Sequence, residues 1–330
     1  MKTFATRRFS GALWIFVAAV CACLPAPNLV VAQQPSANAT PPAAAASAGS
    51  AMRFGTIHEA AVALIDAAQR FDVSALVQIF GPEAEDILFT DEAPLDRQRA
   101  ADFAAQANEK RDVSVDPSGN RAVLIVGREA WPFPVPLVKR GGQWSFDIQA
   151  GRQELLHRRI GANELDAIAI SRGYVDAQRE YAFEPRQGYT VHQYAQRIIS
   201  TPGTQDGLAW QNPDGTWGGP IGENVARAIQ QGYTSRATPF HGYFFKVLKA
   251  QGPAAPLGAM NFVVGGAMIG GFALAAAPAE YQVTGVKTFI VGYDGTVYQK
   301  DLGPDSVQAF QNMTLYNPDK TWQRTDDNWR

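Results

Sequence analysis

The segment 239–303 constrains the fold more than any other part of the chain, because it contains a clear β-hairpin. Side chains alternate from residue 286 to 293, and residues 296–300 can form the returning strand. Asp294 and Gly295 lie between these strands and favour a type I′ turn, in which both central residues have positive φ. The sequence therefore predicts an antiparallel sheet in the C-terminal part of the chain.

A run without charged residues, 250–279, forms part of the same segment. Gly266 and Gly270 have the spacing that lets transmembrane helices approach closely. The apolar core of the run covers only residues 262–277 and contains four glycines, whereas a spanning helix needs about 20 apolar residues. We expect buried strands interrupted by glycine that pack closely against a helix, and no transmembrane helix in the mature chain.

The N-terminus has the features of a secretory signal peptide over residues 1–32. Three basic residues precede the apolar run 12–22, and small residues at 30–32 offer a cleavage site. Arg7 and Arg8 raise the alternative of twin-arginine export, and Cys23 raises that of a lipid anchor. The predicted localisation is periplasmic or extracellular.

Export has consequences for the mature chain. Both cysteines lie within the signal segment, so cleavage after Ala32 leaves no thiol for disulfides, nucleophilic catalysis or metal binding. Residues 33–53 are rich in Ala, Pro and Ser and predict a disordered tether. The chain has 29 Lys and Arg against 31 Asp and Glu, and loss of the three basic signal residues changes the net charge from −2 to −5. Without clustered basic residues, nucleic acid is not an expected partner.

Residues 54–150 predict helices followed by an antiparallel sheet. Thr56 and Glu59 form a capping box at the first helix, which is followed by helices at 72–80 and 95–107. The acidic residues between Glu83 and Asp96 are expected to be solvated. Strands follow the turn at 116–119, and this element order resembles the cystatin-like, nuclear-transport-factor-2-like cone folds. The three predicted strands are 121–127, 135–139 and 144–147.

Residues 151–330 predict a long helix followed by a sheet. Apolar residues recur from Leu156 to Tyr181, so the helix from about Arg152 to Tyr181 is expected to bury one face along its length. Shorter helices are predicted at 190–199 and 223–231, with a loop at 201–222 between them. The predicted strands are 242–248, 261–264, 271–277, 286–293 and 296–300.

Several motifs in order resemble one bacterial family. They are Asp-Gly-Leu-Ala-Trp at 206–210, His-Gly-Tyr-Phe-Phe-Lys-Val-Leu at 241–248, Gly-Phe-Ala-Leu at 271–274, Thr-Phe-Ile-Val at 288–291 and Tyr-Gln-Lys-Asp-Leu-Gly at 298–303. Together they look like the secreted proteins grouped as Domain of Unknown Function 2950, over nearly the whole mature chain. This resemblance implies a compartment and a protein class, but no activity.

A second resemblance concerns the C-terminal half. Asn163-Glu164 and Gln178 on one long helix, then His241-Gly242 leading into antiparallel strands, are similar to the globular half of type IV pilin-like and pseudopilin subunits. That resemblance implies a spine helix packed on a sheet. The chain lacks the prepilin-peptidase site and the apolar N-terminal helix with its glutamate, so ordinary filament assembly is not implied.

The chain shows little sign of catalysis. Its four histidines have no metal-ligand spacing, and no nucleophile elbow, Walker loop or dinucleotide motif follows a strand, so neither a metal nor a cofactor is expected. His241, Asp206 and Glu223 are the weak candidates for an acid or base.

An aromatic platform is the stronger hypothesis, since flat rings stack on sugars and peptides. Its candidate residues are Trp210, Trp217, Tyr233, Tyr243 and Tyr281. The sequence thus favours an α+β, exported, non-enzymatic protein that binds a protein or glycan partner in the cell envelope. Two alternatives stay open: an envelope hydrolase with a pocket at the subdomain junction, and an accessory or structural subunit of a pilus-like assembly.

Overall fold

The computed structural model describes residues 51–90, 92–186, 190–222 and 239–325. The chain divides into two compact units, the first ending at His157 and the second beginning at Arg158. Both units combine helices with antiparallel strands, so the fold class is α+β. Each unit has its own hydrophobic core.

The first unit begins with a group of helices that the sequence predicts well. The side chain of Thr56 accepts a hydrogen bond from the Glu59 N–H, as expected of an N-cap. Glu59 returns to the N–H of Gly55 and not to that of Thr56, so the capping box is displaced by one residue. The helices are α1 (Ile57–Arg70), α2 (Val73–Phe80), α3 (Glu85–Leu88) and α4 (Ala93–Glu109), with a 3-10 turn at Pro82–Ala84.

A five-stranded antiparallel sheet follows α4. Its strands are β1 (Arg111–Val115), β2 (Arg121–Val126), β3 (Trp131–Pro132), β4 (Leu137–Arg140) and β5 (Gln143–Phe146). The order is β1-β2-β4-β5, and β3 also pairs with β2. The sequence does not predict β1, because this edge strand is almost wholly exposed and lacks an apolar face. In β2, every second side chain is buried against the helices.

The acidic segment is only partly solvated. Asp96 is 3% exposed and accepts hydrogen bonds from the N–H and the hydroxyl of Thr90. The prediction of solvated acidic residues is therefore wrong for Asp96. Its carboxylate binds Thr90 and so fixes the segment that precedes α4. Asp86 forms an ion pair with Arg152, which lowers the Asp86 pKa through hydrogen bonding. Asp91 lies outside the described residues.

The longest element is α5 (Ile148–Tyr181), a helix of 34 residues. Ile148, at the start of the helix, is buried in the core of the first unit, and Ala167, Tyr174 and Tyr181 are buried in the C-terminal half. Leu156, between them, is only half-buried. The prediction of a face buried along the whole length is therefore wrong. The apolar spacing continues through both halves, but no position from 152 to 166 is fully buried, whereas the second half packs against the sheet core of the second unit.

A small three-stranded sheet occupies the region after α5. It contains β6 (Arg197–Ile199), β7 (Gly207–Gln211) and β8 (Trp217–Gly218). Strands β6 and β7 are parallel, and β7 and β8 are antiparallel. The prediction of a helix at 190–199 is wrong. The Gln178 side chain forms hydrogen bonds with both the N–H and the carbonyl of Ala195, and these bonds fix the segment against α5. The loop predicted at 201–222 contains β7 and β8.

The main sheet of the second unit has the order β17-β16-β15-β14-β9 and is antiparallel throughout. Its strands are β9 (Tyr243–Leu248), β14 (Ala273–Pro278), β15 (Lys287–Gly292), β16 (Val297–Asp301) and β17 (Gln323–Arg324). Between β9 and β14 lie two short pairs, β10 (Ala250–Gln251) with β11 (Met260–Asn261) and β12 (Val263–Val264) with β13 (Ala267–Met268). Helix α6 (Ser306–Asn312) packs on β14.

The hairpin of β15 and β16 forms as predicted, but its turn differs. Gly295 has a φ of 79°, whereas the φ of Asp294 is negative. The turn is therefore not type I′, which requires positive φ at both central residues. The Gly295 N–H donates to the Gly292 carbonyl, and Asp294 Oδ1 accepts from the Thr296 N–H. Because the loop is longer than two residues, Asp294 can keep a negative φ and still stabilise the loop through its hydrogen bond with Thr296.

The uncharged run forms strands, as expected. All six residues of β14 are buried, since this inner strand lies between β15 and β9 and α6 packs on it. Across the described ranges, no helix is long and apolar enough to cross a membrane. The helix predicted at 223–231, the signal segment and most of the tether lie outside the described residues.

Candidate functional site

A groove of about 820 Å³ lies on the small sheet of the second unit. One wall is the loop between β6 and β7, and the other is the β7–β8 hairpin. Its surface combines indole rings with hydroxyl and amide groups, and its described lining residues include no charged side chain. The residues that carry this character are Thr201, Thr204, Gln205, Trp210, Asn212 and Trp217.

Trp210 is placed by its cross-strand partner. Gly218 pairs with Trp210 across the β7–β8 hairpin, and a Cβ at Gly218 would lie 2.7 Å from the indole Nε1. Only glycine leaves room for the ring to lie over β8. The indole is partly exposed and lines the groove.

Arg186 supports the same indole from the segment that follows α5. Its guanidinium Cζ lies 4.9 Å from the centroid of Trp210 and 5.0 Å from that of Tyr181. It also donates to the Tyr181 carbonyl and to Gln205 Oε1. Such contacts between a cation and aromatic faces are worth about 0.5–2 kcal/mol each. The orientation of Trp210 is therefore fixed before any ligand arrives.

Tyr181 connects the helix end to the groove wall. Its hydroxyl donates to the Gln205 carbonyl, and burial raises its pKa to about 12. The phenol thus stays protonated and keeps donating at neutral pH. Because Gln205 lines the groove, this bond fixes the β6–β7 loop against α5.

Asp206 stabilises the β6–β7 loop. Burial would raise its pKa, but hydrogen bonds from Thr201 and Thr204, together with the charge of Arg197, outweigh it and lower the pKa. Its carboxylate is therefore ionised and fully engaged at neutral pH. The structure gives Asp206 a positioning role and no free oxygen for acid–base work.

The β7–β8 hairpin holds the remaining groove residues. The Asn212 N–H donates to the Thr216 carbonyl, and Asp214 Oδ1 accepts from both the N–H and the hydroxyl of Thr216. These bonds lower the Asp214 pKa, the Thr216 side chain being the largest cause. The hairpin therefore presents Asn212 and Trp217 on a rigid turn.

His241 belongs to a different region. Its Nδ1 lies 2.7 Å from Asp166 Oδ2 on α5, and its backbone has φ of 48°. Nearby, Asn163 donates to the Thr284 carbonyl, and Glu164 Oε1 accepts from the N–H groups of both Val286 and Lys287. These side chains of α5 satisfy backbone groups at the start of β15, so the region around His241 is a structural junction.

The other predicted ligand-binding residues are not brought to the groove. Tyr243 is 0% exposed, and its hydroxyl donates to the Lys287 carbonyl. Its ring is part of the core, so its assignment to an exposed aromatic platform is wrong. Tyr281 is partly exposed and donates to Asp301, but it does not appear among the described groove residues. Tyr233 and Glu223 lie outside the described residues.

Within the described ranges, no group of three His, Cys, Asp or Glu side chains could hold a metal ion. Sequence reasoning missed Arg186, Gln205 and Asn212. Asn212 and Gln205 flank the predicted tryptophans closely enough to be found by proximity along the chain. Arg186 is 24 residues from Trp210, and no local pattern indicates their contact.

Comparisons with known proteins agree with the motifs noted in the sequence. No curated protein and no solved structure matches the chain significantly. A family model described as a protein of unknown function, DUF2950, matches residues 51–325. The match covers nearly the whole chain, and the chain therefore belongs to the DUF2950 family.

Proposed function

We propose that the protein is an exported, non-enzymatic binding protein of the cell envelope or the extracellular space, and that its groove takes a glycan. The observation that carries this proposal is the pairing of two partly exposed indoles with neutral hydrogen-bonding groups in one groove of about 820 Å³. Sugars offer an apolar face for ring stacking and hydroxyls for amide and hydroxyl partners.

The groove is prepared for binding without rearrangement. Trp210 is held between Gly218 and Arg186, and the β6–β7 loop is tied down by Asp206 and Tyr181. Rigid sites lose less conformational entropy when a ligand binds. This supports recognition of a defined saccharide unit by the protein.

The arrangement supports binding better than hydrolysis. Glycoside hydrolysis ordinarily needs two carboxyl groups beside the scissile bond. The described groove residues include none, and Asp206 is engaged by Arg197 and by threonines in its loop. His241, a second candidate base, is paired with Asp166 outside the described groove lining, and the third candidate, Glu223, lies outside the described residues.

The finer architecture and the route of export are part of the same proposal. We infer a cystatin-like cone for residues 54–150 and a pilin-like helix and sheet for residues 151–330, on the basis of element order. The signal peptide over residues 1–32 would deliver the protein to the periplasm or the exterior, where glycans are available. A pilus-like assembly role would instead require ordered multimers of the purified protein.

Isothermal titration calorimetry with an N-acetylglucosamine tetramer tests the proposal. We expect saturable binding, with an affinity that Trp217→Ala weakens at least tenfold. Loss of about 1.4 kcal/mol of ring stacking would weaken the affinity by a factor of ten. Trp322→Ala is the matched control, since this half-buried ring of the same unit packs against Lys300 and does not appear in the groove. Equal binding by both variants, or no binding at all, would overturn the glycan assignment. Binding of an envelope protein at the groove in place of the tetramer would identify the other class of partner.

A further inference from the structure

An apolar cavity of about 60 Å³ lies within the first unit, apart from the groove described above. It is lined almost entirely by aliphatic and aromatic side chains. Several lining residues are partly exposed, so the cavity opens to solvent. The partly exposed ones are Phe71, Leu88, Phe89, Ala100, Trp131 and Phe133.

Phe71 is held in an unfavourable backbone conformation at this opening. It ends α1 with φ of 50°, a left-handed position where glycine or asparagine is the usual residue. A bulky side chain in this conformation is strained, because its Cβ lies close to the following carbonyl oxygen. In return, the Phe71 ring lies edge-on to Phe89, with centroids 6.3 Å apart, and the two rings border the cavity. Such a departure from local preference is expected where the side chain serves binding.

One exposed cation lies at the opening of the cavity. The exposed guanidinium of Arg97 lies 4.8 Å above the Phe71 ring. Among the described cavity residues the only carboxylate is Asp96, and both of its oxygens accept hydrogen bonds from Thr90. Asp96 is therefore satisfied within the protein, and Arg97 is left to face a ligand.

We propose that this cavity binds the aliphatic tail of an amphipathic carboxylate, with Arg97 pairing with the anionic head. The cavity has room for only a few methylene groups, so the end of the tail enters it. The rest of the chain lies against the rings of Phe71 and Phe89. Burial of the methylene groups favours binding, and the guanidinium selects a carboxylate over a neutral or cationic head.

Calorimetric titration of the purified protein with sodium octanoate, below its micelle concentration, tests the proposal. We expect one saturable site, no comparable site for octylammonium, and weaker binding at high salt because the ion pair is exposed. Arg97→Glu should weaken binding about fivefold. Ala100→Leu fills the cavity with a good helix former and should abolish binding.

Lys139→Glu is the control, because Lys139 is another exposed cation of this unit that lies over a ring, Trp144, which is not a described lining residue. It should bind octanoate as the unsubstituted protein does. Absence of octanoate binding, or equal binding by Ala100→Leu, would overturn the site. Unchanged binding by Arg97→Glu, or equal binding of octylammonium, would overturn the assignment of a carboxylate. Circular dichroism of each variant separates loss of binding from loss of fold.

Discussion

The guanidinium of Arg186 covers the indole of Trp210, with Cζ 4.9 Å from the ring centroid. The same guanidinium contacts Tyr181 and donates to Gln205, so one side chain joins the end of α5 to both walls of the groove. We expect Arg186→Ala to destabilise the protein by about 1–2 kcal/mol, since it removes cation–aromatic contacts and hydrogen bonds from a largely buried group. Arg186→Lys should retain only part of the stability that Arg186→Ala loses, because an ammonium cannot form the planar contacts of a guanidinium. Urea unfolding followed by circular dichroism measures both, and unchanged stability of Arg186→Ala would show that the contacts are incidental.

Gly242 provides a prediction about the junction between α5 and the main sheet. Its φ is 73°, and a Cβ there would lie 2.5 Å from Asn163 Nδ2. We expect Gly242→Ala to destabilise the protein by about 1–3 kcal/mol through strain and displacement of Asn163. Gly161→Ala is the matched control, because Gly161 lies within α5 with nothing within 4 Å of its added Cβ. That substitution should stabilise the protein by up to about 1 kcal/mol. Thermal unfolding compares the two, and similar shifts in one direction would refute the steric account.

The lowered pKa of Asp206 predicts a pH dependence. A carboxyl group whose pKa is lower in the folded state stabilises the fold at neutral pH, and this contribution is lost as pH falls from about 3.9 through the lowered pKa. Asp206→Asn should remove this part of the acid sensitivity and reduce neutral stability by about 1–2 kcal/mol through weaker hydrogen bonds. Denaturant midpoints measured between neutral and acid pH should therefore converge for the two proteins as pH falls. Parallel curves would contradict the assignment.

Asp96 gives a matching prediction for the first unit. Its carboxylate accepts from the Thr90 N–H at 2.6 Å and from the Thr90 hydroxyl at 2.9 Å, inside the protein. Asp96→Asn retains one acceptor and should cost about 1–3 kcal/mol. Thr90→Val removes only the hydroxyl hydrogen bond and should reduce the stability by less than Asp96→Asn does. A larger loss in Thr90→Val, measured by urea unfolding, would mean that the backbone bond contributes little.

The sequence predicts the long elements better than the short ones. Apolar residues recur at helical spacing in α5 and alternate in the hairpin of β15 and β16, and the structure has both elements. Strand β1 is missed because almost none of its side chains is buried. The helix expected at 190–199 is absent because Gln178, far away in sequence, fixes Ala195.

The residues of the candidate site likewise divide into those that the sequence predicts and those that it does not. Trp210 and Trp217 are close in sequence and lie in one groove, so local reasoning could identify them. Tyr243 has the same aromatic character, but the packing of β9 in the sheet buries it completely. Arg186 could not be predicted, because its contact with Trp210 depends on how the chain returns after α5. Tertiary packing, which the residue pattern does not encode locally, decides these cases.

The most direct test of glycan binding is the set of tryptophan indole N–H resonances in a nitrogen–proton correlation spectrum, recorded during titration with an N-acetylglucosamine tetramer. We predict saturable shifts of the Trp210 and Trp217 signals with a common dissociation constant, while the Trp131, Trp144 and Trp322 signals stay in place. Assignment by single Trp→Phe variants identifies each signal. A spectrum in which Trp210 and Trp217 do not move at saturating tetramer, or in which only the other indoles shift, would contradict the account.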